Sequence, residues 1–146
     1  MKTFLLAVTT FTLVSGASFA DPHEDRVALM KSFGQQLGQL APMAKGEKPF
    51  DAAATAAALT ELQARTEKFD AAVLFPEGST GGDKNRALPV IWTAWDDFTA
   101  RADKLKADVA EVAATPPADQ AALGAALGKI GSNCGGCHEV YRAPEG

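Results

Sequence analysis

The chain is poor in the residues that do chemistry. It holds two cysteines and two histidines in 146 residues. Both cysteines lie in one short stretch, so no disulfide framework is spread through the fold. A zinc site takes about four ligands, and the stock here is Cys134, Cys137, His138 and a distant His23. β-Branched runs and apolar–polar alternation are missing, and with them the signals of a strand. A thioredoxin-like dithiol needs a strand-to-helix setting, so it loses its scaffold as well. Clustered cations are missing too. The formal charge is −4, which argues against nucleic acid, since phosphate binding needs grouped Lys and Arg. Large apolar side chains are sparse, because alanine supplies much of the 47% hydrophobic content. Helix formers dominate, so the composition is all-α. No internal repeat, low-complexity tail or second domain is visible.

What is present begins with a targeting segment. Lys2 gives a positive start, Phe4 to Val14 an apolar core, and Ser18-Phe19-Ala20 small residues at the −3 and −1 positions. This reads as a secretory signal over residues 1–20, cut between Ala20 and Asp21. The apolar core of about 11 residues is too short to span ~30 Å of hydrocarbon, which disfavours a retained anchor. Residues 21–146 then form one domain carrying 13 basic and 18 acidic residues, a net charge of −5.

Four helices follow in the pattern. Asp21-Pro22-His23-Glu24 opens the first, with Asp21 as cap and Pro22 at the first helical position. Its stripe is Val27, Met30, Phe33, Leu37, Leu40 and Ala44. Gly34 and Gly38 are read as places where a neighbour or flat ligand approaches closely. Asp51 caps a second, alanine-rich helix whose stripe runs Leu59, Leu62, Thr66, Phe69 and Val73. Residues 74–88 hold Pro76, Gly78, Gly81 and Gly82 and read as loop, with Phe75 turned into the core. Pro89 opens a third helix, with Ile91, Trp95, Phe98, Ala102, Leu105, Val109 and Val112 as a seam. Trp92 lies one position off that seam. Asp96, Asp97, Asp103 and Asp108 read as a solvated face. After Thr115-Pro116-Pro117, a fourth helix carries Leu123, Leu127, Ile130, Cys134, Cys137, His138 and Tyr141 in one phase. Helices of this length with mostly short turns predict an antiparallel up-down four-helix bundle.

Cys134-Gly135-Gly136-Cys137-His138 has the C-x-x-C-H form of c-type haem attachment. The three side chains share one helix face. Two thiols can take thioether bonds to a porphyrin edge, and the adjacent imidazole can reach the iron. The motif keeps the phase of the core stripe, which a surface metal clip has no reason to do. A structural disulfide leaves the phase of His138 unexplained.

The second axial position has one methionine candidate. In an up-down bundle the first and last helices are antiparallel neighbours. His138 then lies about 6 Å, and Met30 about 12 Å, from the same end. Met43 lies roughly 20 Å further along, and Met1 leaves with the signal. Spacing alone leaves Met30 open as ligand or as an ordinary core residue. A Met/His pair closes the iron for electron transfer and raises its potential, whereas an open position binds small gases.

Over its whole mature length the chain resembles the class II cytochromes c. The resemblance rests on Cys134-Gly135-Gly136-Cys137-His138-Glu139-Val140-Tyr141-Arg142, on Lys45-Gly46-Glu47-Lys48-Pro49-Phe50-Asp51-Ala52, on Phe75-Pro76-Glu77-Gly78, on Pro89 with Ile91-Trp92, and on Arg26 with Met30. It implies a four-helix bundle with one covalent haem c near the C-terminal end. It assigns Cys134 and Cys137 to thioethers, His138 to the proximal iron position and Met30 to the distal one. Arg26 matches a position near the haem propionates, and Arg142 one near the proximal His. Phe33, Phe75, Trp92 and Phe98 are candidates to line the haem or simply to pack the core. The family has a five-coordinate branch, the cytochromes c′, which binds nitric oxide or carbon monoxide, and a low-spin branch that transfers electrons. Met30 and the glycine-rich loop before Pro89 resemble the low-spin branch. The function so implied is a periplasmic electron carrier, not an enzyme, exchanging electrons with redox partner proteins. No nucleic acid or stable membrane insertion is implied, and a homodimer through the first two helices is compatible with the family.

Overall fold

The computed structural model describes residues 21–80 and 85–144. The expected signal at 1–20 and the glycine-rich centre of the long connection lie outside the described residues. Six helices are present among them: α1 (Pro22–Ala44), α2 (Ala52–Thr66), α3 (Ala71–Leu74), α4 (Val90–Thr93), α5 (Trp95–Ala114) and α6 (Gln120–Tyr141). The four long ones form the bundle. α1 packs on α2, α2 on α5, α5 on α6, and α6 back on α1. This ring of sequential neighbours is the expected antiparallel up-down four-helix bundle.

The caps explain where the helices start. Asp21 accepts from the His23 amide at 2.9 Å, and Asp51 from the Ala54 amide at 2.9 Å. Asp119 does the same for α6, accepting from the Ala122 amide at 2.8 Å. Each satisfies an amide that the helix itself leaves without a partner. α1 ends at Ala44, and two residues on Gly46 takes a φ of +75°. The positive φ is what calls for glycine, since the nearest atom a Cβ would meet, Gln120 Nε2 at 2.8 Å, is the movable end of an exposed side chain.

The core follows the stripes. Leu40, Leu59, Val109 and Leu123 have no exposed surface, and each such side chain contributes about 1.5–3 kcal/mol on burial. No described helix is long and apolar enough to cross a membrane.

Three expectations need correction. The second helix does not run on to Val73. It stops at Thr66, and Asp70 caps the separate single turn α3 by accepting from the amides of Ala72 and Val73. Phe69 stays buried, but Val73 is 66% exposed. The third helix is broken at Ala94 (φ −124°, ψ 41°) into α4 and α5. The seam survives because Ile91 and Phe98, on either side of the break, are both buried. Gly34 and Gly38 are exposed, and a Cβ at either meets nothing within 4 Å. Neither permits a close approach of a neighbouring helix among the described residues.

Candidate functional site

Tyr141 and Phe98 start the site from the inside. Both are buried, and their rings meet edge to face at 5.0 Å between centroids. Phe98 also meets Phe75 at 4.8 Å, and Phe75 meets Phe69 at 5.9 Å. These four aromatics back a cavity of about 440 Å³, within the ~300–1,000 Å³ range of cofactor pockets. Met30 and Val27 come from α1, and Cys137, His138 and Arg142 from the end of α6. His23, Arg26, Lys31 and Arg86 also border it.

The cavity therefore joins Met30 to His138 across the α1–α6 contact, although more than a hundred residues separate them in the chain. Met43 lies in the core away from it. Of the four aromatics named from the sequence, Phe75 and Phe98 border the cavity. Phe33 packs in the core, and Trp92 donates its ring N–H to the Phe75 carbonyl at 3.0 Å. Phe69 and Tyr141 border the cavity without having been singled out for it. Both stood on helix stripes, which marks burial but not which cavity a ring faces.

Cys134 and Cys137 are free thiols, each half-buried. Burial pushes both thiols up, so they stay protonated and neutral. Burial pushes the His138 imidazole down, helped by the nearby Arg142 and Arg86 charges. The imidazole is thus held neutral, the form that binds a metal. Arg142 continues from the C-terminal end of α6, and Ala87 pairs with it in an isolated antiparallel bridge.

Arg26 is buried, with 5% of its surface exposed. Its Nη1 donates to the Leu74 carbonyl at 2.9 Å and to Ser79 Oγ at 2.8 Å, and its Nη2 to the Ser79 carbonyl at 2.9 Å. The guanidinium lies 4.9 Å from the Phe75 ring centroid. Burial lowers its pKa, an effect partly offset by Asp21. The structure thus gives Arg26 a definite task, holding the 74–79 loop against α1, in addition to bordering the cavity.

Of the solvated face expected on α5, Asp96, Asp97 and Asp103 are exposed and Asp108 is not. Asp108 is buried, with Asn133 Nδ2 donating at 2.7 Å, Lys104 Nζ at 2.6 Å and Lys129 Nζ at 3.3 Å. Asp97 accepts from Tyr141 Oη at 2.5 Å and from Arg101 Nε at 2.6 Å. Sequence periodicity placed these aspartates opposite the apolar seam. It gave no sign that α6 brings hydrogen-bond donors to meet them.

These residues suit an iron porphyrin. Two neutral thiols sit on one helix turn beside a neutral imidazole. Cys137 and the Met30 thioether border the cavity, with Cys134 one turn away outside its lining. Aromatic rings back it, and the Arg26, Arg86 and Arg142 guanidinium groups border it, a chemistry suited to carboxylates.

Comparison with known proteins agrees. Residues 21–142 match the family described as Cytochrome C′. A cytochrome c-556 from Agrobacterium fabrum is 42% identical over 143 residues, covering 97% of this chain and 95% of that one. A cytochrome c′ from Cereibacter sphaeroides is 35% identical, covering 97% of this chain and 98% of that one. The solved structure of a cytochrome c′ from Rhodobacter Spheriodes superposes with a TM-score of 0.80 at 32% identity, covering 88% of this chain and 100% of that one. With its cavity and its Cys134–His138 motif, the chain belongs to the cytochrome c′ family of class II cytochromes c and is a haem c protein.

Proposed function

We propose that the protein is an exported carrier of single electrons in the periplasm, with residues 21–146 as its one domain after cleavage behind Ala20. Cys134 and Cys137 hold the haem by thioethers, His138 ligates the iron on the proximal side, and Met30 ligates it on the distal side. The observation that carries this reading is the shared cavity of Met30 and His138. When bound, the haem supplies a one-electron iron couple. The chain's residues do the rest. The Met30 thioether and the His138 imidazole would together hold the iron, a ligand pair that favours the reduced state. The aromatic wall keeps water from the iron. Arg26 and Arg142 both border the cavity and would balance the acidic groups of the haem. One electron enters from a reduced partner and leaves to an oxidised one, with no bond made or broken. The net charge of −5 on the mature chain favours partners with a basic docking face and a salt-dependent association rate.

A second reading is a five-coordinate protein that binds nitric oxide or carbon monoxide. It is favoured by the 35% identity to a protein named cytochrome c′. In that case Met30 is only part of the cavity wall. The visible and near-infrared spectrum of the oxidised protein separates the two. A low-spin spectrum with a sulfur-to-iron charge-transfer band, lost in Met30→Ala, is the expected result. A high-spin wild-type spectrum sinks the carrier reading.

A further inference from the structure

Arg101 stands on α5, outside the cavity, and its guanidinium reaches the haem-attachment turn of α6. Its Nη1 donates to the Gly136 carbonyl at 2.9 Å. Gly136 lies between the two cysteines, next to Cys137. Its Nε donates to Asp97 Oδ2 at 2.6 Å, and its Nη2 approaches Asp97 Oδ1 at 3.4 Å. Asp97 Oδ2 also accepts from Tyr141 Oη at 2.5 Å. The guanidinium carbon lies 5.9 Å from the Tyr141 ring centroid.

The connections run from α6 to α5 and back to α6. One contact is at Gly136, directly at the carbonyl. The other is at Tyr141, through Asp97. The two anchors are five residues apart, about 7.5 Å along the helix, and Cys137 and His138 lie between them. The Asn133–Asp108 bond ties α6 to α5 just before the motif, and these two contacts add holds that bracket Cys137 and His138 themselves, so the turn between them is left little freedom to rotate. The planar fork of arginine permits this, because it donates in two directions at once. A lysine ammonium carries the same charge as a point, without the fork. A metal-binding residue must be held to about 0.5 Å and 10–20°, and supporting hydrogen bonds are the usual means.

We propose that Arg101, through Asp97 and Tyr141, is a positioning residue that sets the rotation of the Cys137–His138 turn, and so the orientation of the proximal imidazole over the iron. The assignment rests on His138 being the proximal ligand, but not on Met30 closing the other side. Arg101 also offsets the Asp97 carboxylate beside the motif, so its loss leaves a negative charge there that disfavours the reduced iron.

The test uses the holoprotein with its covalent haem. Electron paramagnetic resonance of the oxidised form reads the imidazole setting, a redox titration reads the charge, and thermal unfolding reads stability. Arg101→Gln is expected to broaden and shift the resonance lines and to lower the midpoint potential. Arg101→Lys is expected to restore the potential but not the line shape. Tyr141→Phe keeps the ring and removes one anchor, so it gives a smaller spread of the same kind, and it serves if Arg101→Gln does not fold. Lys68→Gln, an exposed charge change elsewhere, is expected to leave the resonance unchanged. If Arg101→Gln and Tyr141→Phe lower only the unfolding temperature and keep the wild-type resonance, the proposal is wrong. A high-spin wild type overturns the carrier reading alone, since the proximal setting is still read. Wild-type protein without covalent haem overturns both.

Discussion

Arg26 holds Ser79 by two hydrogen bonds, one to the hydroxyl at 2.8 Å and one to the carbonyl at 2.9 Å, across 53 residues of sequence. This joins the helix that carries Met30 to the loop that carries Phe75. Bonds from a charged donor contribute roughly 1.5–3 kcal/mol each, and a buried carbonyl left unsatisfied costs about 1–3 kcal/mol. Arg26→Met is therefore expected to destabilise by about 2–4 kcal/mol, measured by urea unfolding. Ser79→Ala loses only the hydroxyl contact and is expected to cost about 1 kcal/mol. Equal losses for the two would show that the guanidinium is not the hub of this contact.

Phe98 is 2% exposed and meets Phe69, Phe75, Trp95 and Tyr141 at centroid distances of 6.4, 4.8, 5.8 and 5.0 Å. No other ring touches all the rest of the cluster. Phe98→Ala is expected to cost about 3–5 kcal/mol, as for other buried phenylalanines. Phe98→Leu keeps most of the volume and is expected to cost clearly less. A calorimetric scan of both variants checks the order. Near-equal losses would mean that ring geometry, not volume, dominates here.

The long stripes made most of the fold legible. Phe33, Leu40, Leu59, Leu62, Phe98, Val109, Leu123 and Ile130 all keep their expected place in the core. The motif needed only spacing, and the Met30–His138 cavity followed from helix length and antiparallel order. Breaks inside stripes were not legible. Phe69 continues the α2 stripe in number, yet the chain turns before it, because Asp70 offers a side-chain cap that competes with the next helical turn. Asp108 was not legible as a buried carboxylate because its donor Asn133 comes from another helix, whereas Asp97 keeps its expected exposure while accepting from Tyr141. Single-helix periodicity carries no information about such pairs.

Asp70 itself gives a direct check of that competition. Its carboxylate accepts from the Ala72 amide at 3.0 Å and the Val73 amide at 3.2 Å. Asp70→Ala removes the cap and is expected to cost about 1 kcal/mol. Asp70→Asn keeps an acceptor and is expected to cost little. Amide exchange at residues 72–74 should quicken in the alanine variant only. Unchanged exchange would assign α3 to the packing of Leu74 alone.

Asp108 predicts how stability depends on pH. Its carboxyl is lowered to about 2, first by the Lys104 hydrogen bond, then by Asn133. The unfolded value is about 3.9, so the folded state binds the proton less tightly than the unfolded chain. The stabilisation is then fully present above pH ~4 and is lost as pH falls through about 2. The Lys104 side chain is 64% exposed, so solvent screens part of the gain, and about 1–2 kcal/mol remains. Asp108→Asn is expected to remove that much at pH 7 and almost nothing at pH 2. Urea midpoints of the two proteins should therefore converge on acidification. A difference that stays constant with pH would mean that Asp108 contributes through shape and not through its charge.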